Sequence, residues 1–306
     1  MKTYFYLAIL VTCACSGQPA HPDSGGPEGG GLDGPAPMCG ALAVKGLKIA
    51  TTMGANPLDP LGYPPYAADA CQLAYVAADG SLVLRDLTAG GDVTIADASE
   101  KPRRPSVAGG IVAWEATIAS KDVVRWRDRA GNASTIDGTF ARAGEPRAAS
   151  DAIAFTAWMT ADPQGDTDVL LFSIEGKTLA TIGTGSAQQR FADIDATRIA
   201  FTDFSEGGPT GAFEPDLMSD AGYSPSDVVV YDRGTKSLTV RPHSGKQAFP
   251  LLVAGGLVAY LDWDRVRPLP KFFRWRARHW FRDRCGGLNK IPFFGPLHCH
   301  YPLEVV

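Results

Sequence analysis

DAIAFTA at 151–157 and TRIAFTD at 197–203 are close copies of one another, and looser copies stand at three other places: CQLAYVA at 71–77, GGIVAWEA at 109–116 and GGLVAYLD at 255–262. Each is a short apolar run in which an alanine immediately precedes an aromatic. The aromatics are Tyr75, Trp114, Phe155, Phe201 and Tyr260, at intervals of 39, 41, 46 and 59 residues. Self-similarity at such a period marks a supersecondary unit that cannot bury its apolar face alone and must stack on its neighbours.

Working outward from the aromatic, a short segment precedes each copy, often with proline: PPYAA at 64, RRPSVA at 103, EPRAA at 145, RFADI at 190 and AFPLLV at 248. After the first four copies a second apolar strand begins, GSLVLRD at 80, KDVVRWRD at 121, TDVLLFS at 167 and SDVVVYD at 226. A glycine-containing turn and a β-branched strand then close the unit, as in DRGTKSLTV at 232–240. Each repeat is a four-stranded antiparallel meander, and no helical periodicity of useful length intrudes. The chain is therefore expected to be all-β, a β-propeller with five legible blades. Residues 39–306 leave room for a sixth, built from the C-terminal segment and the strand ALAVKGLKIATT at 41–52. Such closure would remove exposed sheet edges.

The pattern P-x6-I-A-F followed by D-V-x-x-Y-D resembles the TolB-type β-propeller repeat over residues 57–262. That resemblance implies a propeller fold in an exported bacterial protein. It leaves function open, because a fold hosts many functions. TolB pairs its propeller with a preceding α/β domain and binds a peptidoglycan-associated lipoprotein, and residues 39–56 are too few to build such a domain.

The N-terminus carries an address. Lys2 is followed by an uncharged, mostly apolar run, Thr3 to Ala14, too short to cross about 30 Å of hydrocarbon. It reads as an export signal. Ala14 before Cys15 resembles the end of a bacterial lipoprotein signal, which implies a lipid-modified Cys15; Cys13 after Leu10-Val11-Thr12 is the second choice, and an ordinary secretory signal is the alternative. The domain organisation expected is a signal over 1–15, a Gly/Pro-rich linker over 16–38, the propeller over 39–270 and a distinct segment over 271–306. The protein would then sit in the periplasm or at the cell surface, anchored to a membrane. Cys39, Cys71, Cys285 and Cys299 remain for disulfides, and pairing Cys39 with Cys71 and Cys285 with Cys299 keeps each loop shortest. A formal charge of −4 argues against a nucleic-acid partner.

In a meander blade the second-to-third-strand and blade-to-blade connections emerge at one end. Two adjacent repeats carry long second-to-third-strand connections there, WMTADPQGDT at 158–167 and FSEGGPTGAFEPDLMSDAGYSPS at 204–226. Long loops on a rigid scaffold commonly carry function. The first offers Trp158, Asp162 and Asp166 as contact residues. The second offers Glu206, Phe213, Glu214, Asp216 and Tyr223. Exposed aromatics among acids suit an envelope protein or a glycan. The same carboxylates, with Asp168, Asp220 and Asp227, could supply some of the ligands of a Ca²⁺ ion, although Asp122, Asp168 and Asp227 recur at one place in the repeat and so read as turn caps. No other cofactor is expected.

No nucleophile elbow or H-E-x-x-H pair appears, so no catalytic residue is assigned. Paired carboxylates at the channel mouth keep a carbohydrate-active lyase or hydrolase as the alternative to a binding module. Residues 265–290 break the pattern, with nine Lys or Arg against Asp283 alone and several aromatics. This segment reads as a basic surface, an irregular last blade, or the product of an altered reading frame.

Overall fold

The computed structural model describes residues 63–69, 71–162, 165–183, 185, 187–205, 226–241, 247–253 and 257–262, and the backbone of 303–305. The first sheet is β1 (Tyr66–Ala68), β2 (Gln72–Val76), β3 (Leu82–Asp86) and β4 (Asp92–Ala96). A 3-10 turn, Ala98–Glu100, leads to β5 (Arg103–Ala108), β6 (Ile111–Ile118), β7 (Lys121–Arg127) and β8 (Ala133–Thr135). The third sheet is β9 (Arg142–Ala148), β10 (Ala152–Trp158), β11 (Thr167–Ser173) and β12 (Thr178–Thr181). The fourth is β13 (Gln189–Ile194), β14 (Arg198–Asp203), β15 (Asp227–Asp232) and β16 (Ser237–Arg241). In the fifth, β17 (Gln247–Val253) and β18 (Leu257–Asp262) are joined by β19 (Leu303–Val305).

Every sheet is an antiparallel meander in chain order, and the first strands of successive sheets lie against one another. Those first strands are the inner ones, and the later strands lie progressively outward. The architecture is the β-propeller the repeat predicts. The C-terminal Leu303–Val305 pairs with β18, Tyr260 opposite Glu304, and so adds a third strand to the fifth sheet. The segments 41–52 and 271–300, the export signal and the linker lie outside the described residues.

The alanine-aromatic pair explains why the blades stack. Adjacent residues of a strand face opposite sides, so the aromatic of each second strand points back to the preceding blade and the alanine points forward. Trp114 packs in one cluster with Ala74, Phe155 with Ala113, Phe201 with Ala154, and Tyr260 with Ala200. The four aromatics are at most 1% exposed, each stabilising its interface by about 2–3 kcal/mol of transfer energy. Tyr75, with no described blade before it, is only partly buried.

The aspartates that cap turns are not those expected. Asp122, Asp168 and Asp227 lie within β7, β11 and β15. Caps at the ends of the third strands are Asp86, Asp128 and Asp232, accepting from Thr88 N at 2.7 Å, Asn132 N at 2.8 Å and Thr235 N at 2.7 Å, and Asp69, Asp79, Asp97 and Asp195 cap other turns. A short acceptor two to four residues before the turn amides is what an Asx turn requires. In the second blade the turn closes on Gly131, whose φ of 92° is open to glycine at little cost. Cys71 is disulfide-bonded, to a partner outside the described residues.

Candidate functional site

Four of the five segments that precede the repeats, all but PPYAA, turn out to hold β-bulges. The ladder loses register at Arg103/Ser106, Arg190/Asp193 and Ala248/Leu251, and in β9 opposite Ala154/Thr156. At each break one residue is left-handed: Arg104 (φ 51°), Glu145 (56°), Phe191 (59°) and Phe249 (56°). Pro105, Pro146 and Pro250 follow three of them, where a missing N–H costs the ladder least. A left-handed non-glycine residue costs about 1–3 kcal/mol and persists only where its surroundings impose it.

Those surroundings are the preceding blade. Glu145 N donates to Glu115 Oε2 at 3.1 Å, Phe191 N to Glu145 Oε2 at 3.4 Å, and Phe249 N to Thr202 Oγ1 at 3.1 Å. Glu115 and Thr202 directly follow the aromatics Trp114 and Phe201, so at two of these three bulges that position of the repeat caps the amide the next bulge leaves over, while at Phe191 the bulge residue Glu145 does so, itself held by Thr156. Further along the inner strands, Ala148 N donates to Ser106 Oγ at 2.9 Å and Leu252 N to Asp193 Oδ2 at 2.7 Å. Inner strands of neighbouring blades are thus joined through side chains.

The bulges also gather charge at the centre. Glu145, 1% exposed, is paired with Arg190, lies 3.7 Å from Arg104 Nη1, and accepts from Thr156 Oγ1 at 2.8 Å. Burial works to raise its pKa, but Arg190 and Arg104 outweigh that and hold the carboxyl below its ordinary range. Glu115 is paired with Arg103 and, at 3.1 Å, with Arg104. Gly144 makes room for it, since a Cβ there would sit 2.5 Å from Glu115 Oε2. Tyr63 lies under Arg104 and Arg147, their guanidinium carbons 5.1 and 4.9 Å from its ring centre. Burial, then Glu145, keeps its hydroxyl protonated well above the usual phenol range. Glu145 is therefore no candidate general acid, which needs a raised pKa.

At the end carrying the second-to-third-strand connections, β9 begins with Arg142, directly opposite Trp158, the last residue of β10. Trp158 was expected as an exposed contact; it is 6% exposed, covered by Arg142 and Arg190 at 4.3 and 5.1 Å from its ring centre. Cation–π stacking and apolar burial draw an indole under two arginines. Asp162 is exposed in the connection, its carbonyl accepting from Gly165 N at 3.1 Å. Asp166 and Asp168 flank the start of β11; burial, reinforced by Asp166, pushes Asp168 up to about 6, and burial raises Asp166 too. Trp158, Asp166 and the exposed Asp162 therefore share one end of the third blade. Cys15, Glu206, Phe213, Glu214, Asp216 and Tyr223 lie outside the described residues. Among the described residues no three His, Cys, Asp or Glu side chains form a metal-binding group.

The two ends of the third and fourth blades differ in how their polar groups are satisfied. At the far end Arg233 donates to Asp151 at 2.6 Å and to the carbonyls of Asp195 and Ala196, and Arg198 pairs with Asp195 at 2.6 Å. At the loop end, Arg142 Nε, Trp158 Nε1, Asp166 Oδ1, Asp168 Oδ1 and Gln189 Oε1 are buried without a partner. Native proteins leave few such atoms. The charged residues Arg104, Glu115, Arg142, Glu145 and Arg190 escaped the sequence reading. For Arg104, Glu145 and Arg190 a signal was there, since RRP, EPR and RF occupy one position of the repeat; Glu115 and Arg142 lie outside those segments.

Fold and site together define a β-propeller with an ion-paired centre and one end rich in unpartnered polar groups. No family model and no curated protein matches the sequence. Among solved structures the chain is similar to the tricorn protease, at 15% identity and a TM-score of 0.49, covering 67% of this chain and 19% of that one. It is also similar to TolB from Acinetobacter baumannii, at 16% and 0.41, covering 65% and 51%. The β-propeller domain of the Trilobed protease from Pyrococcus furiosus matches at 10% and 0.46, covering 67% and 63%. The chain thus spans about a fifth of the first and half of the second. The propeller expected from the repeat is the fold observed, and TolB structures are among its neighbours.

Proposed function

We propose that this protein is an exported, lipid-anchored β-propeller that acts as a binding module in the cell envelope, engaging a protein or glycan through the loop end of its third and fourth blades. The observation that supports this reading is the asymmetry between the two ends. In these blades the far end is closed by ion pairs, whereas the loop end holds Arg142, Trp158, Asp166, Asp168 and Gln189 with unpartnered polar atoms. Such atoms are costly in the free protein and gain hydrogen bonds when a ligand arrives. The export signal and Cys15 lipidation rest on the N-terminal sequence.

The test is affinity capture of the full-length protein from detergent-solubilised envelopes, with mass spectrometry of bait and partners. Phe213→Ala with Glu214→Ala is expected to lose the bound component, while Arg233→Ala at the far end retains it. Equal capture by both variants would overturn the assignment of the face, and an unmodified Cys15 in the bait would overturn the anchor.

A second reading, a carbohydrate-active lyase or hydrolase, is favoured by Asp168. A carboxyl raised to about 6 beside the second carboxyl of Asp166 is the environment a general acid needs. Glycan turnover abolished by Asp168→Asn would establish it.

A further inference from the structure

We infer that Arg142 anchors a carboxylate, and that the loop end accordingly takes an acidic glycan; the inference rests on the binding-module reading and narrows it. The argument begins with charge. Around the mouth of the centre, four arginines, Arg103, Arg104, Arg142 and Arg190, face three carboxylates, Glu115, Asp122 and Glu145. Arg103 pairs with Glu115 and with Asp122 at 2.8 Å, Arg104 with Glu115 at 3.1 Å, and Arg190 with Glu145. Arg142 is the cation left over: its side chain makes no ion pair or hydrogen bond among the described residues, since the nearby Asp122 is held by Arg103 and Thr117, and it has only its stack on Trp158 at 4.3 Å. Its Nε is buried and unpartnered. A half-buried, unpaired guanidinium costs stability, and its planar fork matches a carboxylate in two parallel hydrogen bonds. The indole beneath holds that fork in place, which lowers the ordering cost of binding.

The groups at this end of the third and fourth blades select a glycan over an acidic protein surface. Trp158 Nε1 is an unpartnered donor and Gln189 Oε1 an unpartnered acceptor, and Asp166 and Asp168 stand at the same end, on and beside β11. A second acidic side chain would only repel the aspartates. Sugar hydroxyls both donate and accept, so a polymer carrying spaced carboxylates among hydroxyls satisfies both sets. The span fits as well: β9 and β11 are two strands apart, about 10 Å, which is the reach of an oligosaccharide.

The test is binding of the full-length protein, by calorimetry, to an oligouronate, to its carboxyl-reduced neutral counterpart and to an oligoglutamate peptide. The oligouronate is expected to bind, with affinity falling as salt rises, and the neutral sugar at least tenfold more weakly. Arg142→Gln should lose at least tenfold in oligouronate affinity while still unfolding in one cooperative thermal transition, because no ion pair is broken. Arg233→Ala should bind as wild type. Equal binding by Arg142→Gln, or no oligouronate binding, overturns the inference, and so does preference for oligoglutamate. If the oligouronate fails while Phe213→Ala with Glu214→Ala still loses its captured component, the glycan inference falls and the binding-module reading stands.

Discussion

Glu145 concentrates the physics of this chain in one side chain. It is left-handed, fully buried, and bonded to groups of three blades: Arg104 from the second, Thr156 from its own and Arg190 from the fourth. Glu145→Gln would leave two arginines short of their counter-charge. A loss of about 3–5 kcal/mol is expected in urea unfolding, because the remaining charges stay buried. Its depressed pKa also sets an acid limit: the stability it supplies is complete above the carboxyl's unfolded value and is lost as pH falls through the lower folded value. Asp168 has the opposite sign. Raised to about 6 from 3.8, it makes folding less favourable as pH climbs between those values. Asp168→Asn should therefore raise the melting temperature at pH 7 and leave it unchanged at pH 3, a contrast that thermal scans at the two pH values will read.

At the scale of the element, the inner strand is the specialised one. Its bulge supplies an unpaired amide and the preceding blade supplies an acceptor, so the bulge and the residue after the aromatic function as a pair. Thr202→Val keeps shape but removes the acceptor for Phe249 N. It should cost about 1–3 kcal/mol, the penalty of an unsatisfied buried amide, whereas Thr202→Ser should cost less than half of that. Chemical denaturation of both variants separates the hydroxyl from packing.

For the whole molecule, the far end of the chain is part of the fold. Leu303–Val305 pairs with β18, so the fifth blade joins residues more than forty positions apart. Deleting 303–306 would bare β18 as an edge strand. Hydrogen exchange at Leu257–Asp262 should then accelerate, by at least tenfold, while the second and third blades keep their protection. Unchanged exchange would show that the fifth blade does not need this strand. Stacking through alanine-aromatic contacts is a nearest-neighbour interaction, which is why damage at one blade should stay local.

The sequence by itself determined the fold class, the blade boundaries and the end from which the long connections leave. These are properties of period and alternation: IAF and DVVVYD carry their packing in local order, and aromatic spacing counts the blades. Cys71 as a disulfide cysteine was also legible. What only the tertiary structure decided was how charge is distributed. Trp158, an aromatic beside a long loop, reads as exposed until Arg142 and Arg190 are seen to cover it from two different blades. Asp122, Asp168 and Asp227 share a repeat position, yet one is tied to Arg103 and another is left with a raised pKa. Whether a charged group is paired depends on residues brought together from separate blades, and no local pattern encodes which arginine reaches which carboxylate. Arg142 looks like any other arginine in the sequence; its lack of an ion pair among the described residues follows from how the blades are assembled.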